Sequence, residues 1–240
     1  MVDIIWGNRR PPSRGPKPAL SPERIARAAI EIADAEGLAA VSMQRITASL
    51  GFTKMAVYRY VPAKADLVAL MTEVASGEPP DISQGQGGWR EALKRWAAEL
   101  LGLFHRHPWL LEATIGPRAM GPRELGWLER AVRALGETAL TGAEKLDVVA
   151  TITGHVRTIA QQGKGSADPE AQMMGAIKPM IEARSEEFPA LIAAMSGGKR
   201  DAAFDVGLEC LLDGVEVLHE RRSARGPGRK PPDGARSSEQ

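Results

Sequence analysis

Residues 42–60 read SMQRITASLGFTKMAVYRY, and the way this stretch is punctuated decides the fold. Ser42 stands where a helix N-cap belongs, its hydroxyl able to accept from a first-turn amide that lacks an intrahelical partner. Arg45, Ile46, Ser49 and Leu50 continue a short helix. Gly51 ends it with the residue that enters left-handed backbone at no steric cost. Phe52 anchors the turn, and Thr53 offers a second capping hydroxyl ahead of a helix from Lys54. Val57 and Tyr60 then face the same way as Ile46 and Leu50. Two short helices on one core, joined by a glycine-containing turn, form a helix-turn-helix. The opposite faces carry Gln44, Arg45, Lys54, Met55, Tyr58 and Arg59, and from Ser42 to Lys64 there are four basic residues and no acidic one. A second helix with a cationic outer face and a free N-terminus suits the major groove of duplex DNA. The competing reading is a pair of structural helices whose charges are merely solvated.

The flanks argue for the first reading. Ser21-Pro22-Glu23-Arg24 opens a helix with a capping hydroxyl and a proline where a missing N–H costs nothing. Ile25, Ala28, Ala29, Ile32 and Ala33 give that helix an apolar stripe, and Gly37 closes it. Pro62 is expected to start a further helix, with Leu67, Leu70, Met71 and Val74 facing the core and Lys64 near enough its start to reach a phosphate. The stretches LSPERIARAAIEIADAEGL (20–38), SMQRITASLGFTKMAVYRYV (42–61) and PAKADLVALM (62–71) together resemble the DNA-binding domain of the tetracycline-repressor (TetR) family of bacterial regulators. The resemblance implies that Gln44, Lys54, Met55 and Ala56 face base edges. It puts Ser42, Thr53, Tyr58, Tyr60 and Lys64 against phosphates, with Arg59 in either role. One departure is Thr47, where the family usually has alanine at the tight contact between the two helices; a slightly strained or rotated pair is expected.

The chain has 240 residues, 43 % of them hydrophobic, enough for one or two domains with a large core. No apolar run reaches membrane-spanning length and the first residues lack a signal region, which predicts a cytoplasmic protein. The single cysteine, Cys210, excludes an internal disulfide framework; in the setting GLECLLDG it reads as a buried, inert thiol. Charge is segregated. Residues 1–75 hold 10 Lys and Arg against 7 Asp and Glu, a balance of +3. Residues 76–220 hold 15 against 21, a balance of −6, and residues 221–240 hold 6 against 2, a balance of +4. A basic end on an acidic body draws phosphate to one surface and repels it from the rest.

The expected organisation is all-α: a disordered basic arm over 1–20, a three-helix helix-turn-helix domain over 21–75, a larger helical ligand-binding and dimerisation domain over 89–221, and a disordered basic tail over 222–240. The arm could follow a minor groove or do nothing. In the second domain Trp89, Leu93, Trp96, Leu100, Leu101 and Phe104 form one stripe, stopped at His107-Pro108. Leu125, Leu128, Val132 and Leu135 form another, from Pro122. Thr141-x-x-Glu144 is a capping box opening a helix to about Gln162. Pro179 is expected to interrupt the Met-rich stretch, and a short helix to run from about Glu186 to Met195. Phe204, Leu208, Leu211, Val215 and Leu218 repeat on the last helix. The helices over about 143–162 and 201–221 carry apolar residues on more than one face, which predicts a homodimer through four helices.

This half resembles the C-terminal domain of the tetracycline-repressor type, through Trp89-Arg90, His107-Pro108-Trp109, Phe188-Pro189-Ala190-Leu191, Phe204-x-x-Gly207-Leu208 and Leu212-Asp213-Gly214. The resemblance implies a cavity whose filling changes the spacing of two reading heads and releases a palindromic operator. Its candidate lining is Trp96, Leu100, Phe104, Trp109, Met120 and Trp127, with Ile152, His155, Ile159, Met173 and Met174. Ordinary core packing competes at each position. His155 matches a glycine–histidine pair of the family and is the polar candidate. The segment LEATIGPR lacks the histidine that helps hold a drug–magnesium chelate, so neither drug nor metal is carried over. His105 and His107 stand two apart, which points their side chains away from each other on a helix, so no metal is expected. No catalytic motif is visible and no cofactor is expected. The sequence thus points to a ligand-responsive, sequence-specific repressor released by a small apolar or amphipathic molecule. The rivals are a sequence-indifferent architectural DNA binder and a helical small-molecule enzyme or carrier.

Overall fold

The computed structural model describes residues 2–6, 20–82, 87–162, 169–195 and 203–225, and every regular element among them is helical. The first group is α1 (Val2–Ile5), α2 (Pro22–Glu36), a 3-10 turn (Leu38–Ala40), α3 (Met43–Leu50), α4 (Lys54–Tyr58) and α5 (Lys64–Ser76). The second is α6 (Gly88–Arg106), α7 (Leu110–Ala113), α8 (Pro122–Ala134), α9 (Gly142–Gln162), α10 (Pro169–Glu182), α11 (Pro189–Met195) and α12 (Ala203–Arg225). Among these residues no helix is long and apolar enough to cross a membrane.

Local chemistry sets most of the helix starts. The Ser21 hydroxyl accepts from the Arg24 amide at 3.2 Å, Ser42 from Arg45 at 3.3 Å and Thr53 from Ala56 at 3.3 Å. Gly51 takes φ 70° and returns its N–H to the Thr47 carbonyl, closing α3. At α9 the capping box closes reciprocally, the Thr141 amide donating to Glu144 at 2.8 Å and the Glu144 amide to the Thr141 hydroxyl at 3.3 Å. Ile25, Ile46, Val57, Val61 and Met71 are all fully buried where α2 to α5 meet. Thr47 fits this core without the expected strain. Its hydroxyl donates to the Gln44 carbonyl at 2.9 Å, and only glycines among the described residues take positive φ.

In the second group α6, α8 and α9 pack on one another, and α9 packs on α12. Leu93, Trp96 and Leu103 of α6 are buried there with Val149, Ile152 and Val156 of α9 and Leu208 and Leu212 of α12. Arg90 reaches Glu209, Asp213 and Glu216, and Lys94 reaches Glu209, tying the start of α6 to α12.

Several expectations are corrected. The first residues are not all arm: α1 packs on α5 and Ile5 is buried, because two adjacent isoleucines find an apolar seat there. The basic stretch 7–19 and the tail past 225 lie outside the described residues. Helix α5 begins at Lys64 rather than Pro62, since Tyr60 and Val61 still donate to the Val57 carbonyl and Ala63 is extended. On α8 Leu128 and Val132 pack on the core and Leu135 is buried as expected, but Leu125 is exposed and Glu124, Trp127 and Ala131 are buried, Glu124 in an ion pair with Arg118. Pro179 lies inside α10 instead of interrupting it, and α11 starts at Pro189. Helix α12 runs on to Arg225, its end held by Arg222 on Glu144. Cys210 is exposed rather than buried.

Two outcomes follow from this packing. Ile46→Ala should lower unfolding stability by about 2–5 kcal/mol in denaturant titration, since it empties the contact that α3 shares with α4. Arg222, and then the Thr141 amide, hold the Glu144 carboxyl down to about 2 from its usual 4.5. A depressed folded-state value contributes stability above pH 4.5 that is lost as pH falls toward 2. The acid-side decline of the melting temperature should therefore be shallower in Glu144→Gln.

Candidate nucleic-acid interface and effector site

Helices α3 and α4 hold out most of the residues expected to read DNA. Ser42, Gln44, Thr53, Lys54, Met55, Tyr58, Arg59 and Lys64 are exposed, Met55 at 79 %, while Ala56 and Tyr60 are half-buried against the core. Buried Val57 and Ile46 fix the two helices from behind. The Ser42 and Thr53 oxygens accept the capping bonds, which leaves each O–H to donate outward. The Arg59 guanidinium lies over the Tyr60 ring, 5.4 Å from its centroid, so the aromatic face orients the cation. Lys64 occupies the first turn of α5 with its side chain exposed.

Arg45 behaves differently. Both its terminal nitrogens bond the two oxygens of Glu36 at the end of α2, one contact at 2.7 Å. That hydrogen bonding holds the Glu36 carboxyl below the usual carboxylate range and raises the arginine. Of the four cations counted between Ser42 and Lys64, Arg45 is therefore one member of an ion pair whose acidic partner lies upstream.

The expected effector residues do not all come together. Trp96 and Trp127 meet edge to face with centroids 6.5 Å apart, and the Trp96 indole N–H donates to the Trp127 carbonyl at 3.0 Å. Leu100 and Phe104 are buried on the same helix as Trp96, and Ile152 is buried on α9, which packs against that helix. Met120 and Ile159 are half-buried. His155 is placed elsewhere. Its Nε2 donates to the Phe204 carbonyl at 2.9 Å, its ring stacks on Phe204, and a Cβ at Gly207 would come within 2.3 Å of it. It therefore serves the α9–α12 contact. Met173 and Met174 fall on α10, with side chains outside the described residues.

Trp109 belongs to a joint between the two halves. Its indole N–H donates to Asp34 of α2 at 2.7 Å, and His107 Nδ1 bonds the same carboxylate oxygen at 2.8 Å. A second joint is made by Glu73 of α5, which accepts from the Arg123 and Glu124 amides at 2.8 and 3.4 Å and so caps α8. Burial there raises the Glu73 carboxyl above its ordinary value. Trp127 completes this joint by donating to the Ser76 carbonyl at 3.0 Å. The sequence reading passed over Asp34, Glu73 and Arg157, which makes a half-buried cation on α9. A lone carboxylate inside the apolar stripe of a helix was the available signal for Glu73.

These features have counterparts in known proteins. Residues 25–71 match the model for bacterial regulatory proteins of the tetR family, and residues 80–219 match that for the tetracyclin repressor-like C-terminal domain. The HTH-type transcriptional repressor DrrR1 of Streptomyces coeruleorubidus is 37 % identical across 94 % of this chain and 88 % of its own. An HTH-type transcriptional regulator of Saccharopolyspora erythraea is 26 % identical across 88 % of this chain and 90 % of its own. The Streptomyces coelicolor TetR family protein ActR, solved in complex with actinorhodin, aligns with a TM-score of 0.73 at 23 % identity, covering 83 % of this chain and 98 % of its own.

Releasing Arg45 should be measurable. Glu36→Gln is expected to tighten binding to duplex DNA of any sequence and steepen the salt dependence by about one unit, read by fluorescence anisotropy across a salt series.

Proposed function

We propose, starting from the fact that this chain belongs to the TetR family of bacterial regulatory proteins, that it is a homodimeric repressor released from a palindromic operator by a small molecule. One observation carries the reading of the DNA surface: a bulky apolar side chain, Met55, stands almost fully exposed between exposed Lys54 and Tyr58 on a rigidly held helix. Such a side chain gains nothing in water and has a natural contact in the thymine methyl of the major groove. Gln44 and Lys54 beside it supply the donors that a base edge requires, and Lys64, Tyr58 and the Ser42 and Thr53 hydroxyls supply phosphate contacts.

Two-fold presentation of this face needs a partner. The outer sides of α9 and α12 expose Leu146, Val206 and Val217, and an apolar groove between them is lined by Val148, Ile152, Leu211, Val215 and Leu218. A second copy supplies the same apolar residues in reverse order, which is the complementarity an isologous contact uses. The Asp34 and Glu73 joints give the effector domain two polar grips on α2 and α5, so a rearrangement near Trp96, Phe104 and Trp127 would turn the reading heads. A related repressor and the actinorhodin complex of ActR accord with this assignment.

Selection of bound fragments from random DNA, with sedimentation of the complex, tests the proposal. A palindromic consensus held by two chains is the expected result; a monomer, or no enrichment, overturns it. Lys64→Ala should weaken binding to every sequence and lower the salt slope by about one. Lys54→Ala should relax selectivity at one base pair per half-site by about 1–3 kcal/mol, read by competition with single-substituted operators.

A further inference from the structure

Arg157 lies on the inner half of α9, where it is half-buried against α6 and α7. One terminal nitrogen donates to the Thr114 hydroxyl at 2.6 Å and the other to the Leu111 carbonyl, and the guanidinium stacks 5.5 Å from the centre of the Phe104 ring. Thr114 spends its own proton on the Leu110 carbonyl, so both partners of Arg157 are neutral acceptors. No carboxylate lies within ion-pair distance of it among the described residues. Other arginines of this half are neutralised: Arg118 by Glu124, Arg90 by Glu209 and Asp213, Arg222 by Glu144. Burial, and after it the nearby charge of Arg118, pushes the Arg157 guanidinium below its ordinary value, so the folded protein bears a cost for keeping the charge there.

A cation kept half out of water with two neutral oxygens and an aromatic ring retains N–H donors for a third partner, and an anion would gain most from them. We propose that the effector is an apolar, planar molecule carrying an acidic group, and that Arg157 is the counter-charge selecting it. This inference rests on the ligand-responsive reading above and specifies the ligand's chemistry. The guanidinium lies over the Phe104 ring and Trp96 is two turns away on the same helix, so aromatic surface and charge stand side by side. Arg157 holds the segment leading from Trp109, whose N–H is bonded to Asp34 of α2. An anion that draws the guanidinium off Leu111 and Thr114 would therefore loosen the segment leading to that joint.

The test uses the full chain and two fluorescent probes of matched shape, anionic 8-anilinonaphthalene-1-sulfonate and neutral N-phenyl-1-naphthylamine. Wild-type protein, Arg157→Gln and Arg157→Lys are titrated with each probe, and operator binding is measured in parallel. Arg157→Gln should lose about ten-fold or more in affinity for the anion while holding the neutral probe within about three-fold, and Arg157→Lys should keep most of the preference. Equal losses for both probes, or none for either, would overturn the proposal. If Arg157→Gln fails to fold, the wild-type preference between probes and its retention in Arg157→Lys decide the matter. A lasting anion preference in a protein that selects no operator would instead sink the repressor reading and leave the charge assignment standing.

Discussion

The Glu73 carboxylate sits on the last helix of the DNA-reading group, yet its hydrogen bonds go to the first amides of α8 in the other group. Those amides have no partner within their own helix, and the carboxylate is buried, so each side would be left unsatisfied without the other. Gly121 makes the approach possible: a Cβ there would lie 2.2 Å from a Glu73 oxygen and 2.3 Å from Ile5. With Trp127 on the Ser76 carbonyl and both Trp109 and His107 on Asp34, polar contacts bind the two halves where an apolar seam alone would permit sliding. Polar contacts of this kind have defined made and broken states, which suits a protein whose heads must shift between arrangements rather than drift.

The same economy governs the charges on the outside. The reading helices keep Lys54, Arg59 and Lys64 for the exterior, while Arg45 is held by Glu36 at the end of α2. That pair fixes the start of α3 against α2 and removes a cation from the counterion balance that governs affinity for DNA. Arg157 reverses the arrangement: a half-buried cation with no carboxylate within ion-pair distance among the described residues. In one case the chain supplies the anion and gains rigidity, in the other it leaves the place to a ligand.

Local sequence determined what local chemistry can determine. Ser21, Ser42, Thr53 and the Thr141–Glu144 box mark helix starts by bonds that span three residues, and Gly37 and Gly51 mark ends through backbone that other residues adopt at a cost. The helix-turn-helix, its exposed face and the all-helical class were legible for that reason. Tertiary structure decided whatever depends on residues distant in the chain. The face α8 buries includes Glu124 and Trp127, whose partners are Arg118 and the Ser76 carbonyl, 51 residues from Trp127. The role of His155 follows from Phe204, 49 residues away, and that of Trp109 from Asp34, 75 residues away. Periodicity reports how apolar a helix face is, whereas the partner that satisfies a buried polar atom is chosen only when the helices meet.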